Sequence, residues 1–449
     1  MINMANKLSS FNYFPKVINE NEKGQFVFNT LSRNLVFIPE DIDINKLTKE
    51  CAKADQKTID FLRSKGMVID SEEDELELLK SAILCKQFYQ GRLFLTIIPT
   101  DACNFNCIYC YQNHKCNFMK EEIAARILKW LDKNLRFYSE LSINWFGGEP
   151  LLCKSSMVRM MKCIKDLCVK HKVAMVSSVT TNGYELDIAS FKSLVSNGLL
   201  YYQITVDGNR LTHNQQRPHK TQKDSYGVII DNLKRIKQLP NRYRFEVGIR
   251  INVSGNMRRQ DIYEFIDEMA QMFANDKRFV LIWQWVRNWG GSRMSAENAE
   301  ILVKEGEYCL EFADRATKKG LYCADLISAA SGTDVCEAFY RNGYVINFDG
   351  KIFKCAMRMD DELNNCIGEL TESGSMHINE KAEGRWLRQD EIGLRCRSCV
   401  FLPMCLSNRC HYRSKILGEV KCIEYRDFID KQIETMIKKK KYNAAGAWI

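Results

Sequence analysis

Cys103, Cys107 and Cys110 fall within one short run, CNFNCIYC, with the spacing C-x3-C-x2-C. A structural zinc site wants four thiolate or imidazole ligands, usually with a C-x2-C pair at knuckle spacing. Three thiolates in one loop with no fourth ligand at that spacing suit a [4Fe–4S] cluster with one iron left open. Cys116, a little further on, is a neighbour able to complete a site. A second group, Cys336, Cys355, Cys396, Cys399, Cys405, Cys410 and Cys422, occupies fewer than ninety residues. The remaining cysteines, such as Cys51, Cys85, Cys168 and Cys309, stand singly, often in apolar helical patterns, as small buried hydrophobes do.

The chain has 449 residues and 19 cysteines, and its start, MINMANKLSS, lacks the charged-then-apolar grammar of an export signal. An odd cysteine count in such a chain argues for thiolate ligands in a reducing compartment, the cytoplasm, and against a disulfide framework. A hydrophobic fraction of 45% and a charged fraction of 27% exclude wholesale disorder. No apolar run approaches the ~18 residues of a membrane span, so no membrane partner is expected. The net charge, 65 − 56 = +9, is too mild for a nucleic-acid binder of this size and suits an acidic peptide partner.

Three zones must position these cysteines. In the first, residues 1–90, QFVFNT (25–30) and NLVFIP (34–39) read as a hairpin, followed by helical stretches near 45–53 and 56–65 and a short strand, GMVID (66–70). This is a small winged-helix-like unit whose strand edge could bind an extended peptide. In the second, residues 91–290, six runs read as strands: 92–99, 141–146, 173–181, 201–206, 245–253 and 279–286. Helical patterns separate them; over 121–137, Ile123, Ile127, Leu128, Leu131 and Leu135 share one face. Six βα units imply a parallel sheet with right-handed crossovers, and six falls short of a closed eight-stranded barrel. The fold class is therefore α/β, a partial (β/α)6 barrel, with the first cysteine loop just beyond the first strand, where ligands of such sheets bind. Residues 291–329 read as a linker. The third zone, 330–430, reads as loops organised by metal clusters, and 431–449 as a basic tail.

C-x3-C-x2-C with an aromatic residue before the third cysteine, here Tyr109, resembles the radical S-adenosylmethionine (SAM) enzymes. The resemblance implies that SAM binds the open iron and that reduction of the cluster cleaves it to a 5′-deoxyadenosyl radical. It also assigns companions at successive strand ends. Gly147, Gly148 and Glu149 in WFGGEP would meet the SAM amino group. Thr181 and Asn182 in TTNG resemble the ribose-side contacts, and Asp207 in TVDG resembles the same position of peptide-modifying members. Arg250, a charge inside the apolar run FEVGIRINV, needs a partner: the SAM carboxylate or an internal salt bridge. Arg217 is a further candidate for substrate or SAM contact.

The second cysteine group reads C-x13-G-x4-C, then C-x2-C-x5-C, and resembles the SPASM extension, which holds two auxiliary iron–sulfur clusters. The resemblance implies Cys396, Cys399, Cys405 and Cys422 for one, and Cys336, Cys355 and Cys410 for the other, whose fourth ligand is open. The step from Cys405 to Cys410 is one residue longer than the family's. Three [4Fe–4S] clusters and SAM are thus the implied cofactors, and a low-potential flavodoxin- or ferredoxin-type protein the implied electron donor. Two substrate classes compete. One is a ribosomally made precursor peptide with a leader, crosslinked by a thioether or by a carbon–carbon or carbon–oxygen bond. The other is a sulfatase polypeptide, converted to formylglycine. The sulfatase-maturating members carry an Asp after the G-x4-C cysteine as general base, where this chain has Ala356. The first class, with a leader-recognition domain at the N-terminus, is the expected one.

Overall fold

The computed structural model describes residues 6–17, 23–44, 56–286, 308–324, 336–388, 392–405, 410–419, 422, 429–438 and 443–444. The chain divides into two compact units, one of residues 1–87, 325–336 and 389–449, the other of 88–324 and 337–388.

The first unit begins with β1 (Asn6–Leu8), β2 (Asn12–Tyr13), β3 (Gly24–Asn29) and β4 (Leu35–Pro39). β3 and β4 are the expected hairpin, antiparallel with Val27 opposite Val36. Asn29 makes the turn: its Oδ1 accepts from the N–H groups of Leu31 and Ser32, and Arg33 sits in the left-handed region at φ 61°. Alternation along the strands serves two cores. Val27, Val36 and Ile38 pack with Ile59, Leu62 and Met67. Phe26, Phe28, Leu35 and Phe37 pack on the opposite face with Phe401, Met404, Ile429 and Ile433. Helix α1 (Gln56–Ser64) turns Ile59 and Leu62 inward, and β5 (Val68–Asp70) pairs with β1. The expected helix over 45–53 lies outside the described residues. Helix α2 (Glu75–Gln87) is absent from the sequence reading: its apolar residues circle the helix, and Leu78 and Leu84 are exposed.

The second unit holds the six expected strands: β6 (Arg92–Ile97), β7 (Glu140–Trp145), β8 (Ala174–Thr181), β9 (Tyr201–Thr205), β10 (Glu246–Val253) and β11 (Phe279–Trp285). Each is parallel to the next and they lie side by side in chain order. Helices return the chain between them: α3 (Glu121–Asn134), α4 (Lys154–His171), α5 (Ile188–Ser196), the pair α6 (Arg210–Gln216) and α7 (Ser225–Lys237), and α8 (Arg259–Phe273). Of the expected stripe, Ile123, Ile127, Leu131 and, just past the helix, Leu135 are buried and Leu128 is half-buried, while α3 also buries Ala124 and Trp130, which the spacing does not single out. Beyond β11, α9 (Tyr308–Lys318) leads to the parallel β12 (Tyr322–Cys323).

At the other edge the sheet continues where cysteine-bearing loops were expected. β13 (Gly343–Ile346) pairs parallel with β6, and β14 (Lys351–Phe353), β15 (Cys366–Leu370) and β16 (Met376–Ile378) follow antiparallel, giving eleven strands. Helix α10 (Glu380–Leu387) ends the unit. Returning to the first unit, α11 (Ile429–Lys438) buries Ile429 and Ile433, and β17 (Asn443–Ala444) runs parallel to β4. No described helix is long and apolar enough to cross a membrane.

Candidate functional site

Beyond the carboxyl ends of the parallel strands lies a cavity of about 200 Å³ that opens to solvent. Its lining includes Cys103, Cys107 and Cys110, together with Tyr109, Gly147, Gly148, Glu149, Thr181, Asn182 and Arg250. With Arg217, which also lines it, eleven residues singled out in the sequence share one wall system, although they span nearly 150 positions of the chain.

The cysteine loop is fastened on two sides. The residues after β7 bond to it through the backbone: Gly148 N–H donates to Thr100 O at 3.1 Å, and Glu149 N–H to Ala102 O at 2.8 Å. This explains the glycine pair. A Cβ on Gly148 would stand 2.2 Å from Ala102 O, and one on Gly147 2.4 Å from Thr100 O. On the other side, the segment after α6 runs antiparallel to the loop. Asn106 N–H donates to Pro218 O, Ile108 N–H to Gln216 O, and Lys220 N–H to Asn104 O, at 2.9, 3.0 and 2.9 Å.

Glu149 is 1% exposed, and three protein donors satisfy it: Leu151 N–H and the Thr181 hydroxyl at Oε1, and Asn182 N–H at Oε2. Burial nonetheless pushes its carboxyl up to about 7, against the pull of those donors. Thr181 and Asn182 thereby serve Glu149, while the Asn182 side chain donates to Asn104 Oδ1 at 2.7 Å.

Asp207 stands apart from the other candidates. It is fully buried and is not among the residues lining the cavity. Its Oδ1 accepts from Asn252 N–H at 2.7 Å, and its Oδ2 accepts from the Tyr109 hydroxyl. That hydroxyl also accepts from Arg217 Nη1 at 2.6 Å and Asn252 Nδ2 at 3.1 Å. Tyr109 is therefore a hub tying the cysteine loop to β10 and to the segment after α6. Arg250, by contrast, lines the cavity; its Nε donates to Asn252 Oδ1 at 2.9 Å, and it makes no ion pair among the described residues. Burial lowers its affinity for its proton.

Sequence reasoning missed Gln203, Thr205, Asn252, Trp285 and Met357, which also line the cavity. The first three were detectable as polar residues alternating along otherwise apolar strands, at the same ends as the residues already singled out. Met357 follows Cys355, whose backbone is clamped by the buried Asn365: Oδ1 accepts from Cys355 N–H at 2.8 Å, and Nδ2 donates to Cys355 O at 2.7 Å. The Tyr111 hydroxyl reaches Met357 Sδ at 2.8 Å.

The donor set suits an iron–sulfur cluster. Burial raises Cys103 to about 12, with Glu149 and the other two thiols adding to it, and raises Cys107 to about 11, against the pull of Arg217. Thiols so placed favour a cation that would hold them as thiolates. Among the described residues no three Cys, His, Asp or Glu side chains converge on the position of a single ion. Sulfurs spread along a cavity wall fit a multi-iron group, whose ligands sit on different irons. Arg250, which has no ion pair among the described residues, and the cavity it lines leave room for an anionic co-ligand. Of the second cysteine group, Cys336 and Cys422 are exposed, Cys396, Cys399, Cys405 and Cys410 half-buried, and Cys355 buried. Cys355 belongs to the second unit and the other six to the first.

Residues 97–269 match the Radical SAM superfamily. The chain is 23% identical over 379 residues to a cysteine-type anaerobic sulfatase-maturating enzyme of Clostridium novyi (strain NT), covering 77% of this chain and 96% of that one. The solved structure of native anSMEcpe with bound AdoMet and Kp18Cys peptide superposes with a TM-score of 0.57 at 17% identity, covering 78% of this chain and 98% of that one, a likeness of fold. A looser likeness, TM-score 0.49 at 14% identity, spans 92% of this chain and 97% of Streptococcus suis SuiB bound to precursor peptide SuiA. The chain carries a radical SAM domain, and the three cysteines of the cavity wall lie within it.

Proposed function

We propose that the chain is a radical SAM maturase that crosslinks a ribosomally made, leader-bearing peptide, by a thioether first and a carbon–carbon or carbon–oxygen bond next. The observation that carries this reading is the absence of a free carboxylate among the described residues lining the cavity. Glu149 is the single acidic side chain there, and protein donors occupy both its oxygens. The position after Cys355 is Ala356, packed against Ile98, Val345 and Phe353. Formylglycine formation needs a base for the substrate heteroatom, and the position that supplies it in the sulfatase-maturating members is apolar here.

Cys103, Cys107 and Cys110 would hold the [4Fe–4S] cluster. Arg250 would take the SAM carboxylate, the Gly147–Glu149 stretch its amino group, and Thr181 and Asn182 its ribose side. SAM on a reduced cluster supplies a 5′-deoxyadenosyl radical able to take hydrogen from carbon. Asp207, Arg217 and Asn252 hold Tyr109, and so the loop, in place. Phe146, Trp285 and Val286 give the cavity an apolar wall. The second cysteine group would hold two auxiliary clusters, the strands of the first unit would receive the leader, and a flavodoxin- or ferredoxin-type donor would supply electrons.

A second reading, formylglycine formation on a sulfatase, is favoured by the extent of the match to the Clostridium novyi enzyme. A short cysteine-bearing peptide encoded beside the gene separates the two. Incubated anaerobically with enzyme, SAM and reductant, it should become lighter by two hydrogens and lose its alkylatable thiol. A hydrazide-reactive aldehyde on a sulfatase peptide, with the neighbouring peptide untouched, would replace the first reading by the second.

A further inference from the structure

Arg217 follows the last turn of α6, which presents it to the cysteine loop. It is 6% exposed, its guanidinium lies over the Phe105 ring at 5.5 Å, and it shares the cavity wall with Cys107. The antiparallel bonding of residues 216–220 to 104–108 holds its backbone opposite the loop, and the bond from Nη1 to the Tyr109 hydroxyl at 2.6 Å ties the guanidinium there. Its ion-pair partner among the described residues, Asp207, stands 3.8 Å from Nη1, with the Tyr109 hydroxyl bonded to both, and Glu149 faces it across the same cavity wall. The Asp207 oxygens are already committed to Asn252 and Tyr109, and Arg217 Nε has no hydrogen-bond partner among the described residues. A guanidinium is charged at all working pH. The result is a permanent, loosely compensated positive charge, buried against the thiol at position 107. Burial opposes that charge, and Cys107, Tyr109 and Asp207 together outweigh burial.

We propose that Arg217 is a positioning residue that sets the reduction potential of the cluster held by Cys103, Cys107 and Cys110. This rests on the cluster assignment made above. A cluster gains one negative charge when it takes up one electron. A fixed cation in a poorly screened interior stabilises the reduced form more than the oxidised one, and a nearby carboxylate does the reverse. Arg217 would therefore move the midpoint to less negative values, making the one-electron reduction by a donor protein easier, while Asp207 restrains the effect.

The test is a mediator titration of the anaerobically reconstituted full chain, with the reduced cluster followed by electron paramagnetic resonance. Wild type, R217K, R217Q and D207N are compared, with iron content as a check on loading. R217Q should shift the midpoint to more negative values and R217K by much less. D207N should shift it the opposite way, to less negative values. Loss of packing alone would not produce shifts of opposite sign, and D207N and R217K keep the test decisive should R217Q fail to fold. Fully loaded R217Q with the wild-type midpoint, or R217Q and D207N shifting in the same direction, overturns the proposal. A wild-type chain that takes up no SAM-responsive cluster overturns both this and the cluster assignment.

Discussion

Arg250 and Asn252 stand two positions apart on β10, and Arg250 Nε donates to Asn252 Oδ1 at 2.9 Å. Strand alternation turns both toward the cavity, and the Asn252 amide also donates to Tyr109. One neutral side chain thus orients both the cationic wall and the loop hub, and it leaves the Arg250 charge uncancelled.

R250Q should weaken SAM binding by roughly 10- to 100-fold, the worth of a charge-assisted hydrogen bond to a carboxylate. Iron content should stay at the wild-type level. Anaerobic equilibrium dialysis with SAM on the reconstituted chain measures it, and unchanged affinity in R250Q would remove Arg250 from the site.

G148A should disturb the loop from below. The added methyl would meet Ala102 O at 2.2 Å and Asp101 O at 2.5 Å, both backbone atoms that cannot step aside. A loss of about 1–3 kcal/mol in a urea denaturation is expected, together with lower iron uptake. Full iron uptake at wild-type stability would mean that the loop is not held as described.

Glu149 predicts a pH dependence. Its folded carboxyl is raised to about 7 by burial, from an ordinary value of 4.5. Between those two values the folded chain keeps a proton that the unfolded chain has lost, so this contribution to stability falls as pH rises through the window and is level above it. Urea midpoints of the cofactor-free chain should fall from about pH 5 to about pH 7, and E149Q should flatten that component even while lowering the midpoints overall. A wild-type slope that E149Q leaves intact would assign it to another group.

Tyr109 and Asp207 should be coupled. Y109F and D207N remove opposite ends of one buried bond, and the double mutant should fall short of the summed single effects by about 0.5–3 kcal/mol. D207A, which leaves Arg217 buried without a carboxylate, should cost about 3–5 kcal/mol. Additive effects would break the hub.

The six parallel strands were legible because β-branched and aromatic runs recur between amphipathic helices, as α3 illustrates with Ile127 and Leu131. The cavity residues were legible because they fall at strand ends. Asp207 was not, since a buried clasp and a ligand contact look alike in TVDG; the difference lies in Tyr109 and Asn252, distant in sequence. The glycines of GGEP stood out only as candidate cofactor contacts; that the chain's own backbone at Thr100 and Ala102 packs against them could not be read from the sequence. Short β13, paired with β6 across some 250 positions, carries no local signal of its partner.

That last pairing bears on how the chain could be divided. β6 bonds to β7 on one side and to β13 on the other, with Phe94 N–H donating to Asn342 O and Ile98 N–H to Ile346 O, both at 2.9 Å. A fragment stopping where the superfamily match ends would bare the Phe94–Ile97 edge of β6 to solvent as an unprotected, apolar seam. Such seams recruit copies of themselves, so the fragment should precipitate, while one extended through residue 388 stays dispersed.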